Sequence, residues 1–318
     1  MTASLPSSDA PLKIGTRGSP LALAQAHETR DRLMAAHGLP ADAFEIVVIH
    51  TTGDNRQMIE ADRPLKEIGN KGLFTKEIEE AMLRSDIDIA VHSTKDMPTE
   101  QPEGLVLDVF LPREDVRDAF ISIKYGSISE LPEGAIVGTS SLRRRAQLAQ
   151  IRPDLKLVEF RGNVQTRLKK LEDGLADCPF LAMAGLTRLG MTDRATAAIS
   201  PDEMLPAVAQ GAIGIEYRAG DARAADLLAA IHHSDTAARV TCERAFLATL
   251  DGSCETPIAA LSIIEGDEIH LRGEILRPDG SERIAVEGRA PVSEAIDLGQ
   301  RLGQEALAQA PENFFSWR

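Results

Sequence analysis

The sequence is poor in cysteine, has no long apolar run and lacks the glycine motifs that cradle nucleotide phosphates. Its three cysteines, Cys178, Cys242 and Cys254, are odd in number and show no CxxC spacing. That pattern argues against a disulfide framework and against a zinc site. No stretch approaches the ~20 apolar residues of a membrane helix, so no membrane association is expected. The leader "MTASLPSSDAP" has neither the basic nor the apolar region of a signal peptide. It reads as a flexible leader on a cytoplasmic protein. There is no P-loop and no clean GxGxxG, so nucleotide phosphates lack their usual seat. A positive charge balance is missing too: the formal net charge is −14, which argues against nucleic acid as the main partner. No repeat of fixed period and no low-complexity tract interrupts the chain.

What is present is an ordinary globular composition, 43% hydrophobic and 26% charged over 318 residues, enough for two or three domains. "LKIGTR" reads as a strand. The next segment reads as a helix with Ser19 at the N-cap, Pro20 in the first turn and Gly38 at the end. "FEIVVIHT" is a buried strand, and "FTKEIEEAMLRSD" spaces Phe74, Ile78 and Met82 on one helical face. "DIDIAVHST" is a further strand. Strands alternating with helices imply parallel sheets. The pattern restarts near Asp118 with "DAFISI", "AIVGTS", "LKLVEF" and "CPFLAMAG" as strands, and helices from about Ser140 and Asn163. After about Ala219 come two helices. Period-2 strands with an Asp279-Gly280 turn and a last helix follow. The expected fold class is α/β: two α/β units plus a smaller α+β C-terminal domain.

The charge is unevenly placed. Arg143, Arg144, Arg145, Arg161, Arg167, Lys169 and Lys170 crowd one stretch of an acidic chain. Such a cluster is either a set of solvated helix faces or a focused anion site. Its context bears on the choice. Arg143 and Arg144 follow a strand and open a helix, and Arg161 repeats the arrangement. A helix N-terminus already carries partial positive charge, so each cation there costs a few tenths of a kcal/mol, up to ~1, unless an anion joins it. In α/β sheets such junctions lie at the carboxyl ends of strands, where ligands bind. Arginine favours bidentate partners such as carboxylates. Arg17 and Ser19 repeat the layout in the first unit. A cleft between the units lined by these arginines would hold a polyanion. Ser93, Lys95 and Asp96, in "VHSTKDMP", end a strand that faces the same expected cleft. Lys95 and Asp96 form either a plain surface pair or a carboxylate set beside cationic chemistry. Cys254 sits between Gly252 and Pro257, on a loop. As a loop thiol it could be a small filler, half a disulfide, a ligand, a nucleophile or an attachment point.

Eight motifs occur in order: "IGTRGSPLALAQA", "GNKGLFTKEIE", "DIAVHSTKDMP", "VGTSSLRRRAQL", "RGNVQTRLKKL", "AGLTRLG", "LPAVAQGAIGIE" and "GSC". Together they closely resemble the porphobilinogen deaminase family, from about Lys13 to Pro257, with a looser match beyond. The resemblance implies a transferase that joins four porphobilinogen molecules head to tail, releases ammonia and frees a linear tetrapyrrole by hydrolysis. It implies a dipyrromethane cofactor on a thioether at Cys254. The implied catalytic residues are Asp96, Lys95 and Arg17. Lys95, Ser93, Ser141, Arg143, Arg144, Arg161 and Asp96 would contact the cofactor. Arg17, Ser19, Arg161, Arg167, Arg188 and Gln210 would bind substrate.

The implied architecture is two periplasmic-binding-protein-like domains plus a third, at 11–111 with 212–229, 117–206 and 233–318. Hinge segments would lie near 112–117 and 206–212. A monomer is expected, and its product is expected to pass to uroporphyrinogen-III synthase. Some details depart from the family pattern. The anchor loop reads Gly-Ser-Cys where Gly-Gly-Cys is common, and "GNKG" replaces Gly-Gly-Lys-Gly. Residues 54–71 have the polarity of a lid, in which Lys66 has no matched role. Arg145 reads as part of a solvated face, His232 and His233 as helix-surface or interdomain residues, and Cys178 and Cys242 as small core hydrophobes. Two rivals remain: a non-catalytic two-lobed anion-binding module, and a thiol enzyme with Cys254 as nucleophile. The first leaves Asp96 unexplained, and the second lacks an evident general base.

Overall fold

The structure, a computed structural model, describes residues 5–52, 75–250 and 256–317. Cys254, Lys66 and the 54–71 segment lie outside the described residues. Backbone contacts divide the chain into two units. The first takes 5–52, 75–114 and Gly211–Ala237, and the second takes Asp115–Gln210, 238–250 and 256–317.

The chain starts with β1 (Leu12–Arg17), α1 (Pro20–His37) and β2 (Phe44–Ile49). The ends of α1 follow from local chemistry. Ser19 Oγ accepts from Ala22 N–H, Pro20 opens the first turn, and Gly38 adopts φ +64° while its N–H closes on Met34 O. Next come α2 (Lys76–Leu83), β3 (Ile89–Ser93), a 3-10 turn at Thr94–Asp96, and β4 (Leu105–Phe110). Ile78 and Met82 lie on the buried face of α2, as their spacing predicts.

In the second unit the order is β5 (Asp118–Phe120), β6 (Ile136–Gly138), α3 (Leu142–Ile151), β7 (Lys156–Val158), α4 (Val164–Glu172), β8 (Cys178–Ala182), α5 (Met183–Arg188) and β9 (Ala197–Ala198). Asn163 caps α4 by accepting from Thr166 N–H. The apolar run "CPFLAMAG" is half strand and half helix, because β8 hands directly to α5 at Met183. The chain returns as β10 (Ile213–Arg218) and α6 (Ala222–Ala229), followed by α7 (Ser234–Thr249). His233 Nδ1 lies 2.9 Å from Thr236 Oγ1 and accepts from Thr236 N–H, so it caps α7 rather than lying idle on a helix surface. The chain closes with β11 (Ile258–Glu265), β12 (Glu268–Leu276), β13 (Arg283–Pro291) and α8 (Ala295–Gln309).

Among the described residues three sheets form, ordered β2-β1-β3-β10-β4, β7-β6-β8-β5-β9 and β11-β12-β13. The two five-stranded sheets are mixed, not purely parallel. β1 pairs parallel with β2 and β3, whereas β10 runs antiparallel between β3 and β4. Likewise β6 pairs parallel with β7 and β8, whereas β5 runs antiparallel between β8 and β9. In each sheet the reversed inner strand is the first one laid down after the chain changes unit. It needs no right-handed crossover and enters from the opposite end.

Both five-stranded sheets are covered on both faces, as βα connections demand. In the second unit Phe120, Val137, Cys178 and Phe180 build one core, while Ala119, Ile121 and Leu181 pack with Leu168 and Leu171 on the other side. The alternation Ala119/Phe120/Ile121 is the period-2 signature of a strand between two layers. The third sheet is an antiparallel meander. Its β12–β13 connection turns at Gly280, φ +73°, as Asp279-Gly280 predicts. Helix α8 meets α7 closely: a Cβ on Gly299 would lie 2.2 Å from Cys242 O, and one on Gly303 2.6 Å from Thr249 Cβ. The glycines allow that approach.

Candidate active site

In the first unit β1 and β3 are parallel neighbours, with Gly15 opposite Ala90. Their carboxyl ends emerge at one edge, which brings Arg17, Ser19, Ser93 and Asp96 around one open pocket with Gln25 and Met97. Asp96 is exposed, while Arg17, Ser19, Ser93 and Lys95 are half-buried. Ser93 is fixed by Gln25, whose Nε2 lies 2.9 Å and Oε1 3.1 Å from Ser93 Oγ. Beneath the pocket His92 Nε2 sits 3.0 Å from Glu216 Oε2, both groups buried. This pair ties β3 to β10. Ser19 Oγ faces the α1 backbone as its cap, so its hydroxyl holds the helix end at the pocket rim.

The second unit gathers its arginines around a buried carboxylate. Asp118, at the head of β5, is 1% exposed. It accepts from Arg143 Nη1 at 2.8 Å and Nη2 at 3.2 Å, and from Arg144 Nη2 at 2.7 Å and Nε at 3.2 Å. Gln210 Nε2 donates to the same carboxylate at 2.9 Å and to Val116 O at 2.8 Å. Burial by itself would push the Asp118 carboxyl up, but the two guanidiniums reverse this and hold it far below the usual carboxylate range. Ser141 Oγ accepts from Arg144 N–H and caps α3.

The placement answers the energetic objection to arginines at a helix start. The missing anion is in part internal. Two cations face one carboxylate, so the trio carries a net positive charge. Arg143 Nε is buried and has no hydrogen-bond partner. An unpaired buried donor calls for an acceptor, and a ligand carboxylate suits it. A branch continues from Arg143 Nη1 to Gln147 Oε1 at 2.9 Å, from Gln147 Nε2 to Glu274 Oε1 at 2.6 Å, and from Arg283 Nε to Glu274 Oε2 at 2.6 Å. It joins α3 to the β12–β13 hairpin.

Arg161 is buried at 6% exposure, and Arg167 and Arg188 are half-buried in the same unit. Gln210, expected as a substrate contact, is fully buried and directs its amide to Asp118. Arg145 is not part of a solvated face. It is half-buried and bonds Thr139 O, Leu157 O and Glu159. Cys178 and Cys242 are buried free thiols, each pushed up to about 12, chiefly by burial.

Two participants escape sequence reasoning. Asp118 is a lone acid opening the apolar run "DAFISI", an oddity that could have flagged it. Gln25 sits inside a helix with no local signal at all. Among the described residues no cluster of His, Cys, Asp and Glu could hold a metal ion, and no helix is long and apolar enough to cross a membrane.

Comparison with known proteins shows the family. Residues 12–226 match the family model "porphobilinogen deaminase, dipyromethane cofactor binding domain", and residues 237–308 match the family's C-terminal domain. A porphobilinogen deaminase of Paracoccus denitrificans (strain Pd 1222) is 69% identical over 313 residues, 98% of this chain and 99% of the relative. Among solved structures, a periplasmic substrate-binding protein of an ABC transporter from Coxiella burnetii aligns at TM-score 0.42 and 14% identity, over 70% of this chain and 92% of that one. A nutrient-binding protein from Burkholderia cenocepacia, bound to methionine, aligns at TM-score 0.41 and 15% identity, over 69% and 90%. The two family models together span both units, and the full-length relative leaves almost nothing of the chain unmatched: the chain belongs to the porphobilinogen deaminase family.

Proposed function

We propose that this chain condenses four porphobilinogen molecules head to tail into hydroxymethylbilane with the residues located above. At each addition a C–N bond breaks to release ammonia, a C–C bond forms, and a pyrrole carbon loses its proton; one water, added as the finished chain is hydrolysed free, supplies the terminal hydroxyl. The observation that carries the assignment of roles is the exposed carboxylate of Asp96 in a pocket shared with Arg17, Ser19 and Ser93. Loss of ammonia from porphobilinogen leaves a cation, and a fixed carboxylate beside it stabilises that charge. The same carboxylate moves protons at the pyrrole nitrogen and the leaving amine. Arg17 and Lys95 complete the catalytic set. Each porphobilinogen unit carries an acetate and a propionate. Arg17, Ser19, Arg161, Arg167 and Arg188 meet these groups, and Gln210 acts from behind through Asp118.

Dipyrromethane, held by a thioether at Cys254, would supply the primer for chain growth. The net positive trio around Asp118, with Arg143 Nε buried and unpaired, fits a group bearing carboxylates. Ser93, Lys95, Asp96, Ser141, Arg143, Arg144 and Arg161 are its proposed holders. We further propose the three-domain division at 11–111 with 212–229, 117–206 and 233–318. The protein would act as a cytoplasmic monomer whose product passes to uroporphyrinogen-III synthase. A non-catalytic binding module would leave an exposed acid in the anion pocket without a role.

The test is intact mass beside turnover. Wild-type protein should carry a mass excess of one dipyrromethane that Cys254→Ala lacks, and Asp96→Asn should lose about 10²- to 10³-fold in kcat. An unmodified wild type that gains no adduct on incubation with porphobilinogen sinks the reading.

A further inference from the structure

The turn that presents Asp96 is built on a vacancy in the neighbouring strand. Thr94, Lys95 and Asp96 form a single 3-10 turn directly after β3. Its two ends are anchored inward: Thr94 is 1% exposed and Met97 5%, and Met97 N–H closes on Thr94 O at 3.1 Å. Lys95 and Asp96 project between these anchors. Thr94 N–H donates to Ala212 O at 3.0 Å, which joins the turn to the start of β10. Two residues further, on β10, lies Gly214, opposite His92. A Cβ built there would stand 2.9 Å from Thr94 Oγ1, 2.9 Å from Leu107 Cδ1 and 3.3 Å from Phe110 Cε1. The side chain of Thr94 is thus seated where residue 214 has no side chain.

The three contacts differ in what they can yield. Leu107 Cδ1 is the far end of a flexible side chain, and Phe110 needs to give only a few tenths of an ångström. Thr94 is short and β-branched. Turning its χ1 tends to exchange one heavy atom for another, so its backbone must move, and Lys95 and Asp96 follow. Thr94 Oγ1 is also buried without a hydrogen-bond partner. Buried hydroxyls are ordinarily bonded, so no hydrogen bond explains this threonine, whereas its shape against Gly214 does. Gly214 lies in an extended strand, where a glycine is ordinarily a weakness. Its φ does not require one, because it is not among the positive-φ glycines.

We infer that Gly214 is a positioning residue for the reaction: its missing side chain is the seat of Thr94, and that seat sets the catalytic carboxylate of Asp96. The inference rests on the role of Asp96 proposed above. A displacement of ~1 Å at a reacting group can cost about 10²-fold in rate. The seat is built from residues of the first unit alone, so the effect is expected in kcat rather than in substrate binding.

The test uses holoenzyme, with cofactor loading checked by intact mass and folding by circular dichroism. Gly214→Ala should lower kcat by about 10- to 100-fold while KM for porphobilinogen stays within about threefold. Adding Thr94→Ala to Gly214→Ala reopens the seat, and kcat should rise again, a recovery that a general loss of stability would not produce. Wild-type kcat in folded Gly214→Ala overturns the inference, and so does a double variant as slow as the single one. If Gly214→Ala gives no folded protein, Thr94→Ile enlarges the partner from the other side and should lower kcat in the same way; unchanged kcat there overturns it. Asp96→Asn run in parallel separates the two levels. Inactive Asp96→Asn beside fully active Gly214→Ala removes only the seat. Active Asp96→Asn removes the role of Asp96 and the seat together.

Discussion

Asp118→Asn is the substitution that most directly probes the arginine cluster. The side chain keeps its size and one acceptor oxygen but loses its charge. Asp118 accepts from two guanidiniums, with closest contacts of 2.8 and 2.7 Å, and from Gln210 at 2.9 Å. The carboxylate and both guanidiniums are 6% exposed or less. Neutralising the acid therefore leaves two buried cations side by side with little solvent to screen them. Removing one partner of a buried ion pair costs about 3–5 kcal/mol, because the remaining charge stays uncompensated. Two cations on one acid place this case at the upper end. Urea unfolding of wild type and Asp118→Asn reads that difference directly.

Its pH dependence is a second, independent check. The folded carboxyl is held well below its unfolded value, so its contribution is present above the unfolded pKa of ~3.9 and fades as pH falls toward the folded value. The gap between the two proteins should stay constant from pH 8 to about 5 and narrow only below ~4. A gap under ~1 kcal/mol at pH 7, or one that closes between pH 7 and 5, would refute this account of the cluster.

Other substitutions read other links. Gly299→Ala places a Cβ 2.2 Å from Cys242 O and 3.0 Å from Phe246 N, both backbone atoms that cannot turn aside. A loss of about 1–3 kcal/mol is expected in urea unfolding, and a neutral result would show that α7 and α8 can part freely. Cys178 and Cys242 are buried and pushed up to about 12, so iodoacetamide at pH 8 should label neither in folded Cys254→Ala protein and both after denaturation. Stoichiometric labelling of the folded variant, read by mass, contradicts the burial argument. Burial pushes the Glu79 carboxyl up, with nearby Glu216 adding to it against opposing help from Thr75 and His92. Its support for the fold is therefore full below about pH 4.3 and lost as pH rises through the folded value. Glu79→Gln should raise Tm by about 1–2 °C at pH 7 and by nothing at pH 4; equal Tm at pH 7 removes the effect.

What could be read from sequence was local. Ser19, Pro20 and Gly38 specify the ends of α1 within their own few residues, as Asn163 does for α4 and Asp279-Gly280 for the last hairpin. The carboxyl ends of β1 and β3 could be paired on paper because alternation with helices implies parallel neighbours. Direction failed where the chain leaves one unit: nothing in "DAFISI" says which way the strand runs, and the returning strand Ile213–Arg218 was not singled out as a strand at all. The arginine junctions were visible, but their partner was not. Asp118 stands 25 residues before Arg143, and Gln25 stands 68 before Ser93. Such pairs are set by packing, not by any pattern within a window. Arg145 looked superfluous for the same reason, since Glu159 and two carbonyls reach it only in the folded chain.

The two five-stranded sheets share a strand plan but not a timetable. Every strand of β7-β6-β8-β5-β9 lies between Asp118 and Ala198, one uninterrupted stretch of chain. The sheet β2-β1-β3-β10-β4 begins at Leu12, yet β3 and β4 have no shared neighbour until Ile213–Arg218 is made. On a ribosome, which delivers the chain from its N-terminus, the part synthesised first must wait with two open strand edges while the part synthesised later can close. Folding then inverts the order of synthesis, and a truncation just before Gly211 would strand the half that carries Asp96.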